Sequence, residues 1–281
     1  MCRWLAYVGT PVVLEDLLYR PKHSLIDQSL HAQLGAQTTN GDGFGVGWYA
    51  EGKRPALYRS IETAWSDQNF RDLAGHIRAG LVFAHVRAST GTPVQRSNCH
   101  PFRHGKWLWM HNGAIAKFQD VKRELILTVA PSLYANIEGS TDSEVLFFLA
   151  LTFGLDNDPP GAVQRTVSFI ERLGHDRGIE DPIHMTVAAS DGQKVWVFRY
   201  ASGGRSCSLF YSSKVATLQA QYPDNSIFHN LSSETRLVVS EPLSDLAGVW
   251  NEVPESSYGV IGQGQDELKT FTPHVRRHNG S

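Results

Sequence analysis

Two places in this chain carry the groups needed for acyl transfer. Cys2 follows the initiator Met1, and His111-Asn112-Gly113 lies roughly 110 residues further on. Removal of Met1 makes Cys2 the first residue, with a thiol and a free α-amine together. An unperturbed thiol has a pKa of about 8.5 and an α-amine of about 7.7–8.0, so the amine can take the thiol proton near neutral pH, directly or through a water. The nucleophile then brings its own general base. Asn112 offers a side-chain amide donor and Gly113 an unhindered backbone N–H, a pair able to form an oxyanion hole. Taken singly these features are commonplace. A cysteine at position 2 is usually just a residue near a terminus, and Asn-Gly is the commonest hairpin-turn dipeptide.

The bulk composition narrows the field. At 281 residues and 41% apolar, the chain is long enough for one large domain or two small ones with a sizeable core. A formal net charge of -2, with no basic run longer than Arg276-Arg277, argues against a nucleic-acid partner. No apolar stretch approaches the roughly 18 residues of a membrane helix. The start Met1-Cys2-Arg3-Trp4-Leu5 lacks the pattern of a secretory signal, so a cytoplasmic location is expected. The three cysteines, Cys2, Cys99 and Cys207, make no CxxC pair and suit a reducing compartment without disulfides.

The run Cys99-His100-Pro101-Phe102-Arg103-His104, followed by His111, invites a metal reading. Its spacing fits no structural zinc pattern, so no metal and no cofactor are expected. His100 and His104 read as loop residues bonding to backbone.

These groups need elements to position them. Strand signals are short, apolar and bounded by turn residues: 3–9, 43–50, 81–87, 107–111, 184–189, 195–200, 208–211, 235–240 and 258–261. Two helical patterns lie between the early and late strands. One covers 142–153, with Thr141 as N-cap and Glu144 completing a capping box. The other covers 162–173 and stops at Gly174. The segment 156–161 reads as a loop between them. Strands, then helices, then strands predicts an α+β fold of two sheets with helices packed outside. Residues 1–272 are expected to form a single domain and 273–281 a polar tail. The glycine-rich run 40–45 lacks the Lys-Ser/Thr of a phosphate loop and reads as a tight loop allowing backbone to approach Cys2.

Together, the motifs resemble the class II glutamine amidotransferases, the N-terminal-nucleophile branch. The resemblance covers roughly residues 2–262. It is carried by Met1-Cys2-Arg3, Asn40-Gly41-Asp42-Gly43-Phe44-Gly45, Ala84-His85-Val86-Arg87-Ala88-Ser89-Thr90, Asn98-Cys99-His100-Pro101, His111-Asn112-Gly113, Gly139-Ser140-Thr141-Asp142-Ser143-Glu144 and Ser240-Glu241-Pro242-Leu243. Each piece is weak, but all of them in this order make a strong signal. The resemblance implies a four-layer αββα sandwich. It implies Cys2 as nucleophile, Asn112 and Gly113 as oxyanion-hole donors, Arg87 on the substrate α-carboxylate, Asp142 on the α-ammonium, and Thr90 lining the same pocket. The chemistry suits a zwitterionic head, which a desolvated site must meet with one fixed cation and one fixed anion. Arginine offers a bidentate fork, and Asp142 also sits where a helix macrodipole favours an acid.

Familiar members fuse this module to a synthase domain that uses the released ammonia, and the resemblance here takes up nearly the whole sequence. That implies a stand-alone hydrolase of a small γ-glutamyl amide, or a subunit that meets a peptidase or synthase partner in trans. Short members fit best: the fungal amidotransferase-like subunit of glutathione degradation and, more distantly, the γ-glutamyl hydrolase of ergothioneine synthesis. They imply a leaving amine bulkier than ammonia, for which the aromatic segment 43–49 offers a wall. A non-catalytic γ-glutamyl-binding subunit, or an acylase of the same superfamily, is the alternative. The complete set Cys2, Arg87, Asn112, Gly113 and Asp142 disfavours both.

Overall fold

The computed structural model describes residues 2–34, 38–50, 54–89, 91–224, 231–261 and 266–273. Its elements run β1 (Arg3–Val13), α1 (Leu14–Leu18), α2 (Leu25–His31), β2 (Phe44–Trp48), β3 (Ala56–Ser60), α3 (Gln68–Ala74) and β4 (Arg78–Val86). Next come β5 (Phe102–His104), β6 (Trp107–Ile115), α4 (Phe118–Thr128), α5 (Pro131–Tyr134), α6 (Asp142–Thr152) and α7 (Pro159–Asp176). Last are β7 (Ile183–Ser190), β8 (Val195–Ala201), β9 (Phe210–Ser212), α8 (Val215–Gln221), β10 (Arg236–Val239), β11 (Trp250–Glu252), β12 (Ser257–Ile261) and β13 (Glu267–Thr270).

The strands form two sheets. One has the order β11-β9-β10-β1-β4-β2-β3 and the other β13-β12-β8-β7-β6-β5. Every pairing is antiparallel. Side chains alternate across a strand, so each sheet has two faces to bury. On β1, Leu5 and Tyr7 face one core, and Trp4 and Ala6 face another. The same alternation splits Val82 and Ala84 from Leu81 and Phe83 on β4, and Trp107 and Trp109 from Leu108 and Met110 on β6. Three large buried clusters result, beside a small one at Leu218 and Val249. One lies between the sheets, one between the first sheet and α1, α2 and α3, and one between the second sheet and α4, α6 and α7. Four layers around three cores make the expected αββα sandwich.

Helix α6 is apolar all round because it is covered all round. Every residue from Ser143 to Ala150 is buried, and the helix lies on β6 with α4 and α7 beside it. Thr141 caps it by accepting from Glu144 N at 3.2 Å, but the reciprocal half of the capping box is absent. The Glu144 carboxylate instead accepts from Glu138 N at 3.0 Å and Gly139 N at 2.7 Å, fixing the turn before the helix. Helix α7 begins at Pro159, three residues before the expected start. Proline suits a first helical turn, and Asp158 accepts from Gly161 N. The loop expected at 156–161 is correspondingly shorter.

The motif Ser240-Glu241-Pro242-Leu243 follows β10 and fastens the start of β1. Ser240 Oγ accepts from Trp4 N at 2.9 Å. The Glu241 carboxylate pairs with Arg3 Nε at 2.7 Å, with each side chain only 3% exposed. It also accepts from Gln33 N and Leu34 N, both at 2.9 Å. Gln28 Nε2 donates to the carbonyls of Glu241 and Pro242. The segment therefore sets the position of the residue just before β1, which is Cys2. Removing one member of a buried ion pair strands the other charge. Glu241→Ala should cost about 3–5 kcal/mol of unfolding free energy. Arg3→Met combined with Glu241→Leu should recover part of that loss, since the Gln33 and Leu34 amides stay unpaired. Chemical denaturation measures both, and a single variant within about 1 kcal/mol of wild type would contradict this role.

Candidate active site

A cleft of about 830 Å³ opens where the two sheets meet α4 and α6. Cys2, Arg87, Asn112, Gly113 and Asp142 all line it, with Ala88, Ser89, Thr92, Thr141 and Ser143. The sequence places these residues in four separate segments, and the sandwich brings them together. Thr90, the remaining expected binding residue, lies outside the described residues.

Cys2 precedes the edge of β1 beside the end of β4. Its Sγ accepts from Ala88 N at 3.3 Å and faces Ala88 O at 3.4 Å. Burial pushes the thiol pKa up, while the Ala88 hydrogen bond and the charges of Arg87 and Arg3 pull it down. The carbonyl of Cys2 accepts from Asn112 Nδ2 at 2.8 Å and from Arg3 at 3.1 Å. The other end of the Asn112 amide, Oδ1, lies 3.1 Å from His85 Nε2.

Asn112 and Gly113 are not a turn. β6 continues through them to Ile115, pairing Asn112 with Thr186 and Gly113 with Met185. Gly113 has φ +145°, and a Cβ there would lie 2.0 Å from His184 O and 2.7 Å from His111 Nε2. Only glycine lets the strand keep pairing at that spot.

Arg87 is buried at 4% exposure. Its guanidinium donates to Thr92 Oγ1 at 2.6 Å, Ser89 Oγ at 3.1 Å and the Asp42 carbonyl at 3.4 Å. The Asp42 carboxylate in turn accepts from Ser89 N at 2.7 Å. Asp142 opens α6. Its carboxylate accepts from Ile115 N at 2.9 Å and Ser143 N at 2.8 Å. A fixed cation and a fixed anion thus face one cleft that also holds a thiol.

The glycines of 40–45 serve a different neighbour from the one expected. A Cβ on Gly45 would lie 2.3 Å from His100 O, and one on Gly43 would lie 2.7 Å from Cys99 Sγ. Gly43 and Gly45 admit the Cys99–His100 segment, not Cys2, and Gly41 faces Trp65. The segment 43–49 does not line the cleft: β2 runs through it, and Tyr49 packs between the sheets. Ile115, Lys117, Phe118, Gln119, Asp120 and His184 line the cleft in its place.

Sequence reasoning underrated three histidines. His85, His100 and His111 are buried at 1%, 5% and 2% exposure. His100 lies in the loop before β5, as expected, but its ring does not bond to backbone. Its ring stacks on His85 with centroids 4.2 Å apart and meets Phe102 at 4.5 Å. Neither of its nitrogens finds a hydrogen-bond partner among the described residues. His111 Nδ1 lies 2.8 Å from Ser143 Oγ. The signal was available in β4, where alternation puts His85 on the same face as Phe83 and Leu81. His104 is in β5, edge-on to Phe148. Among the described residues, no three His, Cys, Asp or Glu side chains converge closely enough to hold a metal ion. None of the described helices is long and apolar enough to cross a membrane, and all three cysteines are free.

Comparison with known proteins gives this architecture its kinship. The class-II glutamine amidotransferase family matches residues 22–280. The chain belongs to that family. It is 35% identical to the probable glutamine amidotransferase DUG3 of Saccharomyces cerevisiae, across 93% of this chain and 82% of that protein. It is 32% identical to the γ-glutamyl-hercynylcysteine sulfoxide hydrolase of Mycolicibacterium smegmatis, across 56% of this chain and 65% of that protein. Among solved structures, a glutamine aminotransferase class-II domain protein of Silicibacter pomeroyi superposes with a TM-score of 0.74. That pair shares 33% identity and covers 97% of this chain and 100% of the other. The glutamine phosphoribosylpyrophosphate amidotransferase of B. subtilis, at 15% identity and a TM-score of 0.66, shares the fold over 98% of this chain and 50% of its own.

The buried histidines make a pH prediction. Burial lowers the pKa of His85 to about 3 and of His111 to about 4, and carries His100 well below its usual range. Below about pH 6.5 the unfolded chain binds protons on these rings that the folded chain does not. The stability they contribute is therefore present above pH 6.5 and lost as the pH falls toward 4. Glu144, raised by burial, works in the opposite direction at the acid end. The thermal midpoint should drop between pH 7 and pH 5, and His100→Phe should remove part of the slope. A midpoint indifferent to pH over that range would show that the rings titrate normally.

Proposed function

We propose that this protein hydrolyses the γ-glutamyl amide bond of a small substrate through a thioester on Cys2. One observation carries the reading: Cys2, Asn112, Gly113, Arg87 and Asp142 line the same cleft. The family membership and the name of the mycobacterial hydrolase point to the same bond. Arg87 holds the α-carboxylate of the glutamyl head, and Asp142 holds its α-ammonium. The family resemblance assigns Thr90 to recognition of the same head group.

The chemistry proceeds in two halves. With Met1 removed, the α-amine of Cys2 takes the thiol proton and Sγ attacks the γ-carbonyl carbon. The negative charge that develops on oxygen is met by Asn112 Nδ2 and the Gly113 N–H. The ammonium then returns its proton to the leaving nitrogen, the C–N bond breaks, and a γ-glutamyl thioester remains. Water gives a proton to the freed amine, attacks the thioester and releases glutamate with the thiol restored. A thiol pushed up by burial is a poor nucleophile unaided, so a base on the same residue is what the site needs.

The leaving amine is the open question of specificity, and we infer a substituted amide, glutathione-like, over glutamine. A cleft of about 830 Å³ is larger than a glutamine requires. The wall of Ile115, Lys117, Phe118 and His184 leaves room for a group on the amide nitrogen. A peptidase or synthase subunit acting in trans, within a reducing cytoplasm, completes this reading. Intact mass of the purified protein tests the removal of Met1.

Arg87→Lys keeps the charge but loses the fork, and Asp142→Asn keeps the shape but loses the charge. Losing a charged partner in a desolvated site costs about 2–5 kcal/mol. kcat/KM should then fall about 30-fold or more with little change in Tm. Cys2→Ala should abolish turnover. Assays on L-glutamine, a γ-glutamyl anilide and γ-glutamyl dipeptides, with and without lysate, measure all of these. Normal binding in either charge variant would remove that residue from the head-group pocket. Glutamine favoured about tenfold in every condition, or 1.4 kcal/mol, would make the protein the glutaminase of a separate synthase.

A further inference from the structure

The Asn112 side chain is a flat amide with a donor end and an acceptor end. Only the donor end serves a developing oxyanion, so something must decide which end faces Cys2. The amide touches two groups. Nδ2 lies 2.8 Å from the Cys2 carbonyl, and Oδ1 lies 3.1 Å from His85 Nε2. A carbonyl oxygen only accepts, so the NH₂ end belongs toward Cys2. The acceptor end is then left to His85, and the hydrogen on His85 is assigned to Nε2 by that pairing.

We propose that His85 is a positioning residue of the oxyanion site: its Nε2–H, donated to Asn112 Oδ1, holds the amide with its nitrogen toward Cys2. The inference rests on the role given above to Asn112. Three features of the fold support it. His85 is 1% exposed on the inner face of β4, opposite Trp4 of β1, and its ring is stacked on His100, so it has no freedom to swing away. Burial lowers its pKa to about 3. It stays neutral at working pH and takes no part as an acid or base. Its Nδ1 has no hydrogen-bond partner among the described residues. An unpaired buried nitrogen is destabilising, so a flat ring needed only for packing would be better supplied by phenylalanine. The histidine offers one thing that phenylalanine lacks: a donor aimed at Asn112. Without it, Oδ1 becomes a buried acceptor with nothing to accept from, and the amide gains a reason to turn over.

The test compares wild type, His85→Phe and His85→Gln as full-length chains. Steady-state kinetics on a γ-glutamyl anilide are read beside thermal midpoints. His85→Phe should lower kcat by about tenfold or more, within the 10²–10³-fold ceiling for losing an oxyanion donor. KM should stay within about twofold, and Tm should hold or rise. His85→Gln, whose amide donates from a similar reach, should recover most of kcat. Unchanged kcat in His85→Phe would overturn the proposal. So would a kcat that falls together with Tm and is not rescued by glutamine. A wild type inert on every γ-glutamyl amide would instead sink the proposed function. The inference is then judged on the ¹⁵N resonances of the ring: Nε2 protonated with Nδ1 bare upholds it, and the reverse tautomer overturns it.

Discussion

A single side chain joins the two sheets at the point where the chemistry is placed. Asn112 stands on β6 of one sheet, and its amide bridges Cys2 at the head of β1 to His85 of β4 in the other. The nucleophile proposed above stands at the start of the chain, and a terminus is ordinarily the loosest part of a fold. Here the loose end is fastened from several directions. Arg3 is paired with Glu241, Trp4 is bonded to Ser240, and the Cys2 carbonyl is held by Asn112. The β1–β10 pairing, which sets Leu5 against Val239, brings Ser240 and Glu241 to Trp4 and Arg3 from more than 200 positions away.

The electrostatics of the cleft follow from burial. The buried imidazoles of His85, His100 and His111 lose their charged form because little water reaches them. They therefore contribute shape and directed N–H groups, not positive charge. Lys117 and Asp120 also line the cleft, but Arg87 and Asp142 are each engaged by backbone or hydroxyl groups that set their direction. For the zwitterionic substrate proposed above, such partners would reduce the reorganisation needed on binding, which is how a preorganised site gains its strength. Ser89 and Ser143 each bond one of these charged residues.

Much of this was legible in the sequence. The two sheets and helices α6 and α7 were visible because apolar runs and amphipathic patterns are long there. The segments carrying Cys2, Arg87, Asn112, Gly113 and Asp142 stood out by residue type. The short helices α1, α2 and α3 were not visible, since five to seven residues give too little periodicity to distinguish from loop. The misjudged features share a cause, which is that their partners are distant in sequence. Gly43 and Gly45 make room for Cys99 and His100, and nothing local in 40–45 points there. Glu144 looked like the second half of a capping box, yet its carboxylate is drawn to the amides of Glu138 and Gly139. Asn112-Gly113 looked like a turn by frequency, yet β7 pairs across it. His85 and His100 looked ordinary until the second sheet covered them.

In the proposed reaction Cys2, freed at its own amine, forms the covalent intermediate. Rapid acid quench of the protein during turnover of a γ-glutamyl anilide, followed by peptide mass analysis, reads this directly. The account predicts an added γ-glutamyl group on the peptide that begins at Cys2, labile to hydroxylamine as a thioester should be. An adduct on Cys99 or Cys207, or turnover by a chain that still carries Met1, would contradict it.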